Sequence, residues 1–90
     1  MDFEWDPAKA RSNLIKHGIS FSDVEPAFYD QHALSMRDPD TTIEERYVLI
    51  GLDALGRLVV VIYTYRDDSI RIISARRATK AEHKYYEKGI

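Results

Sequence analysis

Arginines dominate the residues of this chain that can do chemistry. Arg66, Arg71, Arg76 and Arg77 all fall within residues 57–78, RLVVVIYTYRDDSIRIISARRA. Guanidinium groups on neighbouring strands repel unless something anionic sits between them, and their fixed donor forks suit phosphate. They therefore serve either in salt bridges to Asp67, Asp68 and nearby glutamates, or as a grip on an external phosphodiester. His17 is the best single candidate for moving a proton. It falls in the last turn of an expected helix, where the negative end of the macrodipole favours imidazolium, so it can donate a proton, hold a phosphate, or simply cap the helix against a sheet. Glu45, beside Arg46, is a possible base or half of a surface ion pair. Tyr63 and Tyr65 offer rings for stacking on unpaired bases or for packing in a core.

Other chemistries lack their parts. The sequence has no Gly-rich phosphate loop, no His-x-x-x-His pair and no cysteine, which removes the usual signatures of nucleotide hydrolysis, zinc sites, disulfides and thiolate catalysis. None of Ser20, Ser22, Ser35, Ser69 or Ser74 sits in a nucleophile elbow, and His32 and His83 lack the helix-end setting of His17. No metal or cofactor is expected. Ninety residues with 44% hydrophobic and 31% charged content predict one soluble domain, residues 1–90, with a small core. The amino terminus does not read as a signal peptide, and no apolar run suits a membrane span; together with the lack of cysteine, this fits a cytoplasmic home. A net charge of −2 argues against non-specific coating of nucleic acid. A local patch remains, because cations crowd residues 66–88 while acids gather at Asp23, Glu25, Asp30 and between Asp38 and Glu45.

The elements that must position these groups follow from pattern. Residues 57–78 read as two inner strands joined at Asp67–Asp68. A loop of two or four residues puts Thr64, Arg66 and Arg71 on one face and Tyr63, Tyr65, Ile70 and Ile72 on the other, whereas three residues undo that grouping. Phe3 and Trp5 alternate with acids as a short first strand. Asp6–Pro7 opens a helix ending at His17, with Gly18 as the left-handed stop; Ala10, Leu14 and His17 share one face, and Lys9, Asn13 and Lys16 the adjacent one. Ser20 to Tyr29 reads as a second helix with Ser20 and Asp23 in capping-box positions, shortened by Pro26. A weak strand at residues 33–37, a loop at 38–42, a clearer strand at 45–52 and a turn at 53–56 complete an antiparallel meander. Thr79 and Glu82 form a capping box for a last helix, closed by Gly89. Ala78, Ala81 and Tyr85 are expected to pack on the sheet, with Lys80, Lys84 and Lys88 as an exposed basic stripe.

With these residues laid out, the chain resembles the BrnT family of bacterial type II toxins. The resemblance rests on Phe3-Glu4-Trp5-Asp6-Pro7, Lys9-Ala10, Asn13, Lys16-His17-Gly18 and Phe21, on Glu45-Arg46-Tyr47, on Tyr63-Thr64-Tyr65-Arg66, and on RIISARRA from Arg71 to Ala78. It implies an α+β fold like that of RelE-type ribonucleases: a meandering antiparallel sheet with two N-terminal helices and one C-terminal helix packed on it. It further implies an endoribonuclease that slows growth and is neutralised by a BrnA-like antitoxin. Such antitoxins carry a ribbon-helix-helix part, which suggests a complex of two toxins and two antitoxins on operator DNA. The chemistry would be metal-independent attack by an internal 2′-hydroxyl. Arg66, Arg71 and Arg76 would steady the phosphorane, His17 would act as acid or base and Glu45 as base. Lys16, Arg77, Tyr63, Tyr65 and Lys80 would bind RNA. The competing reading is a non-catalytic protein whose cationic surface binds an acidic partner or nucleic acid.

Overall fold

A computed structural model of the chain describes residues 1–39 and 44–89, so residues 40–42 of the expected loop lie outside the described residues. The order is β1 (Asp2–Glu4), α1 (Pro7–His17), α2 (Phe21–Val24) continuing as a 3-10 helix (Glu25–Tyr29), β2 (Leu34–Arg37), β3 (Tyr47–Leu52), β4 (Leu58–Arg66), β5 (Ser69–Arg77) and α3 (Lys80–Lys88). The strands form one sheet in the order β1-β5-β4-β3-β2. Strands β2 to β5 make the expected antiparallel meander, but β1 joins β5 in parallel, so the sheet is mixed. No tight turn links β1 to its neighbour, and its direction follows from where α1 must return rather than from any local signal.

Helix α1 starts and stops where its sequence dictates. The Asp6 carboxylate accepts the Ala8 N–H at 2.8 Å, and Gly18, at φ 70°, donates its N–H to the Leu14 carbonyl. The helix turns Asn13 inward and leaves Leu14 half exposed. The Asn13 amide nitrogen donates to the carbonyls of Ala75 (2.8 Å) and Ile19 (3.0 Å), while its oxygen accepts the Ala75 N–H at 3.1 Å. A side-chain amide thus stands in for a strand residue on the edge of β5 beyond the end of β1. Pro26 denies the second helix an α-helical continuation, and the chain tightens into the 3-10 turn. Ser20 makes no capping bond there; its hydroxyl meets that of Ser22. Phe21, Val24 and Ala27 nonetheless reach the core, with Leu49, Val59, Val61, Tyr63, Ile70, Ile72 and Ala75 from one sheet face. Gly51 is required where β3 meets this turn, because a Cβ there would lie 2.9 Å from the Ala27 carbonyl oxygen.

The opposite face is covered less. Ile50, Leu58 and Val60 pack with Val48, Ala78 and Tyr86, but no residue of α3 is fully buried. Ala81 and Tyr85 were expected against the sheet and are exposed; the inward face of α3 is Glu82 and Tyr86. Polar anchors hold the helix instead. Glu82 takes a bidentate grip from Arg76, with both contacts at 2.8 Å, and the Tyr86 hydroxyl donates to Asp30 at 2.6 Å. The capping box forms as expected, and Lys80, Lys84 and Lys88 are exposed.

Candidate nucleic-acid interface

The β4–β5 hairpin closes with a two-residue loop, Asp67–Asp68, since Arg66 faces Ser69. Asp67 carries the positive φ of 54° that this tight turn needs and that aspartate tolerates. Near the tip the faces are grouped as the sequence suggested, Thr64 opposite Arg71 and Tyr65 opposite Ile70. Between Tyr63 and Ile62 the register shifts: Tyr63 pairs with Ile72 but Ile62 with Ser74, leaving Ile73 as the extra residue of a bulge. The bulge switches the parity of β5. Five residues apart, Arg71 and Arg76 would otherwise lie on opposite faces; here both lie on the less covered one, with Arg66 beside them. Arg77, paired with Val59, falls on the other face.

An anion does sit between the tip arginines. Glu4 is opposite Arg71 in the β1–β5 register, and one of its carboxylate oxygens lies 3.4 Å from the Arg71 guanidinium and 4.0 Å from Arg66 Nε. Sequence reasoning missed Glu4, because only the long-range pairing of β1 brings it there. Further along β5, helix α1 places Lys9, Ser12, Lys16 and His17 against Ile73 and Ser74, around a shallow cleft of about 270 Å³. His17 is partly buried at its rim. Arg76 is held by Glu82, and the tight pairing draws the Glu82 carboxyl down to about 2 and raises the Arg76 guanidinium further. Lys80 projects from the first turn of α3.

Glu45 and the tyrosines form a separate group on the helix-covered face. Tyr63 is buried, its hydroxyl 3.0 Å from Ser35 Oγ, and burial pushes its pKa up. Its ring stacks on Tyr47 at 5.6 Å and meets Phe28 and Tyr65 edge-on. Tyr65 is 59% exposed. Of the two tyrosines singled out in the sequence, then, Tyr65 alone has a free surface for a base. The Glu45 carboxylate accepts the Tyr47 hydroxyl at 2.8 Å, which raises the Tyr47 pKa, and pairs with Arg37 at 3.1 Å. Glu45 reaches the arginine face through its backbone, whose carbonyl accepts the Thr64 hydroxyl. Thus Arg66, Arg71 and Arg76 share a face, Lys16 and His17 flank its β5 edge, and Glu45, Tyr63, Tyr65 and Arg77 lie on the other side.

Among the described residues no cluster of three or more His, Asp or Glu side chains is placed to hold a metal ion, and no helix is long and apolar enough to cross a membrane. The architecture is similar to that of the ribonuclease toxin BrnT from Brucella abortus, known from a 1.1 Å crystal structure. The two share 27% sequence identity with a TM-score of 0.67, over 89% of this chain and 99% of that one. No functionally curated protein matches the chain. A family model described as the ribonuclease toxin, BrnT, of type II toxin-antitoxin systems matches residues 5–82. That span takes in β1's last neighbour Trp5, the α1 cleft, the whole hairpin and the Arg76–Glu82 anchor, and on it the chain belongs to the BrnT family of ribonuclease toxins.

Proposed function

We propose that the chain, acting as one toxin domain in the cytoplasm, is a metal-independent endoribonuclease that cleaves RNA through its own 2′-hydroxyl and so inhibits growth. The observation that carries this reading is the cationic line along β5. Arg66 and Arg71 stand at one end around Glu4, and the Lys16–His17 cleft follows on the same strand. A phosphodiester lying on Arg66 and Arg71 gains charge stabilisation that grows as the phosphorane forms, which lowers the barrier rather than merely tightening binding. Internal attack needs a base at the 2′-oxygen and an acid at the 5′-oxygen. In our reading the base is Glu4, already against both arginines, in place of Glu45, whose carboxylate is engaged by Arg37 and Tyr47 on the far face. His17 is the acid, with Lys16 as an auxiliary cation. Arg76 contributes its field while anchoring α3, and Arg77, Lys80 and Tyr65 guide flanking nucleotides.

Silencing is assigned to a BrnA-like ribbon-helix-helix antitoxin in a complex of two toxins and two antitoxins that binds operator DNA through the antitoxin. The chemistry is tested by the ends of the products. Cleavage by the purified protein should leave a 2′,3′-cyclic or 3′-phosphate and a 5′-hydroxyl, and a single 2′-deoxy substitution at the cut site should abolish it. A 5′-phosphate, or cleavage that survives the deoxy substitution, contradicts the mechanism.

A further inference from the structure

The mechanism leaves unused the β2–β3 side of the arginine-bearing face. Leu34 and Met36 from β2 and Val48 and Ile50 from β3 line a groove of about 370 Å³ against Tyr85 and Glu82 of α3, the Glu82 carboxylate being taken up by Arg76. Met36 is 53% exposed and Tyr85 56%, so the groove presents large apolar side chains to water. Among the described residues β2 is one of the sheet's two edges, paired with β3 alone. On this face a single helix overlies a five-stranded sheet. Contiguous apolar surface of this kind marks an interaction site more often than an accident of composition.

We propose that this groove receives an amphipathic helix of the antitoxin, packed beside α3 and over β2 and β3, with carboxylates on its flank. The inference rests on the reading of the chain as the toxin of a toxin–antitoxin pair. Geometry favours a helix, because helices pack roughly 8–10 Å apart, about two strand spacings, which sets a neighbour of α3 over the sheet's edge. Leu34 and Met36 point the same way about 7 Å apart, matching successive i, i+4 side chains on a helix. Charge selects the partner's sign. The exposed flank of α3 at the groove sets Lys84 and Lys88 around Tyr85. An acidic helix seated there gains apolar burial at its centre and attraction at its rim, and its far end approaches the Arg66–Arg71 pair. Binding of antitoxin and RNA is then mutually exclusive by charge and by space.

The test uses the cognate antitoxin, co-expressed, with affinity measured by calorimetry and the complex challenged by labelled single-stranded RNA. Met36→Glu combined with Tyr85→Ala should weaken the complex by about thirtyfold or more, as loss of a central anchor does. Both side chains are more than half exposed, so the free variant should fold and cleave RNA at the wild-type rate. Lys84→Glu with Lys88→Glu should slow association by roughly tenfold at low salt and flatten its salt dependence. Wild-type affinity in the Met36/Tyr85 variant overturns the proposal. So does unchanged antitoxin binding accompanied by loss of self-association or of ribosome binding, since either result gives the groove to another occupant. A free wild-type protein that fails to cleave RNA would count against the proposed activity and leave this binding measurement standing.

Discussion

At the hairpin tip two guanidiniums share one carboxylate, and the three groups respond differently to RNA. Arg66 and Arg71 gain a second anion when a phosphate arrives, while Glu4 meets a like charge. Arg66→Ala and Arg71→Ala should each leave folding nearly intact, since these are solvent-accessible ion pairs, yet slow RNA cleavage by about 10²-fold or more. Glu4→Gln separates a base from a placeholder: RNA binding should tighten while the cleavage step slows, read by a binding titration beside single-turnover kinetics. Wild-type cleavage in Glu4→Gln would reduce Glu4 to a counter-ion. The two tyrosines make a similar pair of opposites. Tyr63→Ala removes a buried ring and its bond to Ser35, and should cost about 3–5 kcal/mol in denaturant melts. Tyr65→Ala should barely alter stability and should weaken binding to single-stranded RNA by about tenfold.

Among the elements, α1 and α3 are each held to the sheet by a few polar contacts that the sequence half disclosed. The capping residues Asp6, Gly18, Thr79 and Gly89 act on their own helix ends and are legible from adjacent residues alone. What each helix docks upon is not, because Asn13 finds Ala75 and Tyr86 finds Asp30 across most of the chain. Asn13→Ala should orphan the Ala75 N–H and two carbonyls at a buried edge and cost about 2 kcal/mol or more. Asn13→Leu, which keeps the volume, should fare no better if the hydrogen bonds are the reason. Helix α3 should respond to pH at both extremes. Glu82 titrates at about 2 in the fold, well below an ordinary glutamate, so the stability it contributes is complete above the unfolded value near 4.5 and is lost as pH falls toward 2. Tyr86, pushed up to about 12 by burial and by Asp30, contributes stability that is complete below pH 10 and is lost as pH rises to 12. Amide chemical shifts along Lys80–Lys88 should therefore report undocking below about pH 4 and above pH 10, before the core residues respond.

Over the whole molecule, the meander was readable because turns at Asp53–Gly56 and Asp67–Asp68 fix neighbours by chain proximity. The parallel seat of β1 and the bulge at Ile73 were not, since nothing local encodes a pairing between the two ends of the chain or an extra residue in a well-patterned strand. Those two features decide the candidate site: β1 delivers Glu4 to the arginines, and the bulge turns Arg76 onto their face. The same long-range origin explains why His17 could be named from helix position but its neighbours Ile73 and Ser74 could not. The result is a sheet with one face closed by α1 and α2 and the other left for charged and apolar ligands. The central claim is that this second face cleaves RNA with the protein's own side chains. It is tested most directly by incubating the purified, antitoxin-free protein with end-labelled single-stranded RNA in excess chelator, alongside Arg71→Ala. Cleavage by the wild type at an undiminished rate, and its loss in Arg71→Ala, is the predicted result; cleavage that stops with chelator and returns with a divalent cation, or that Arg71→Ala retains in full, would contradict it.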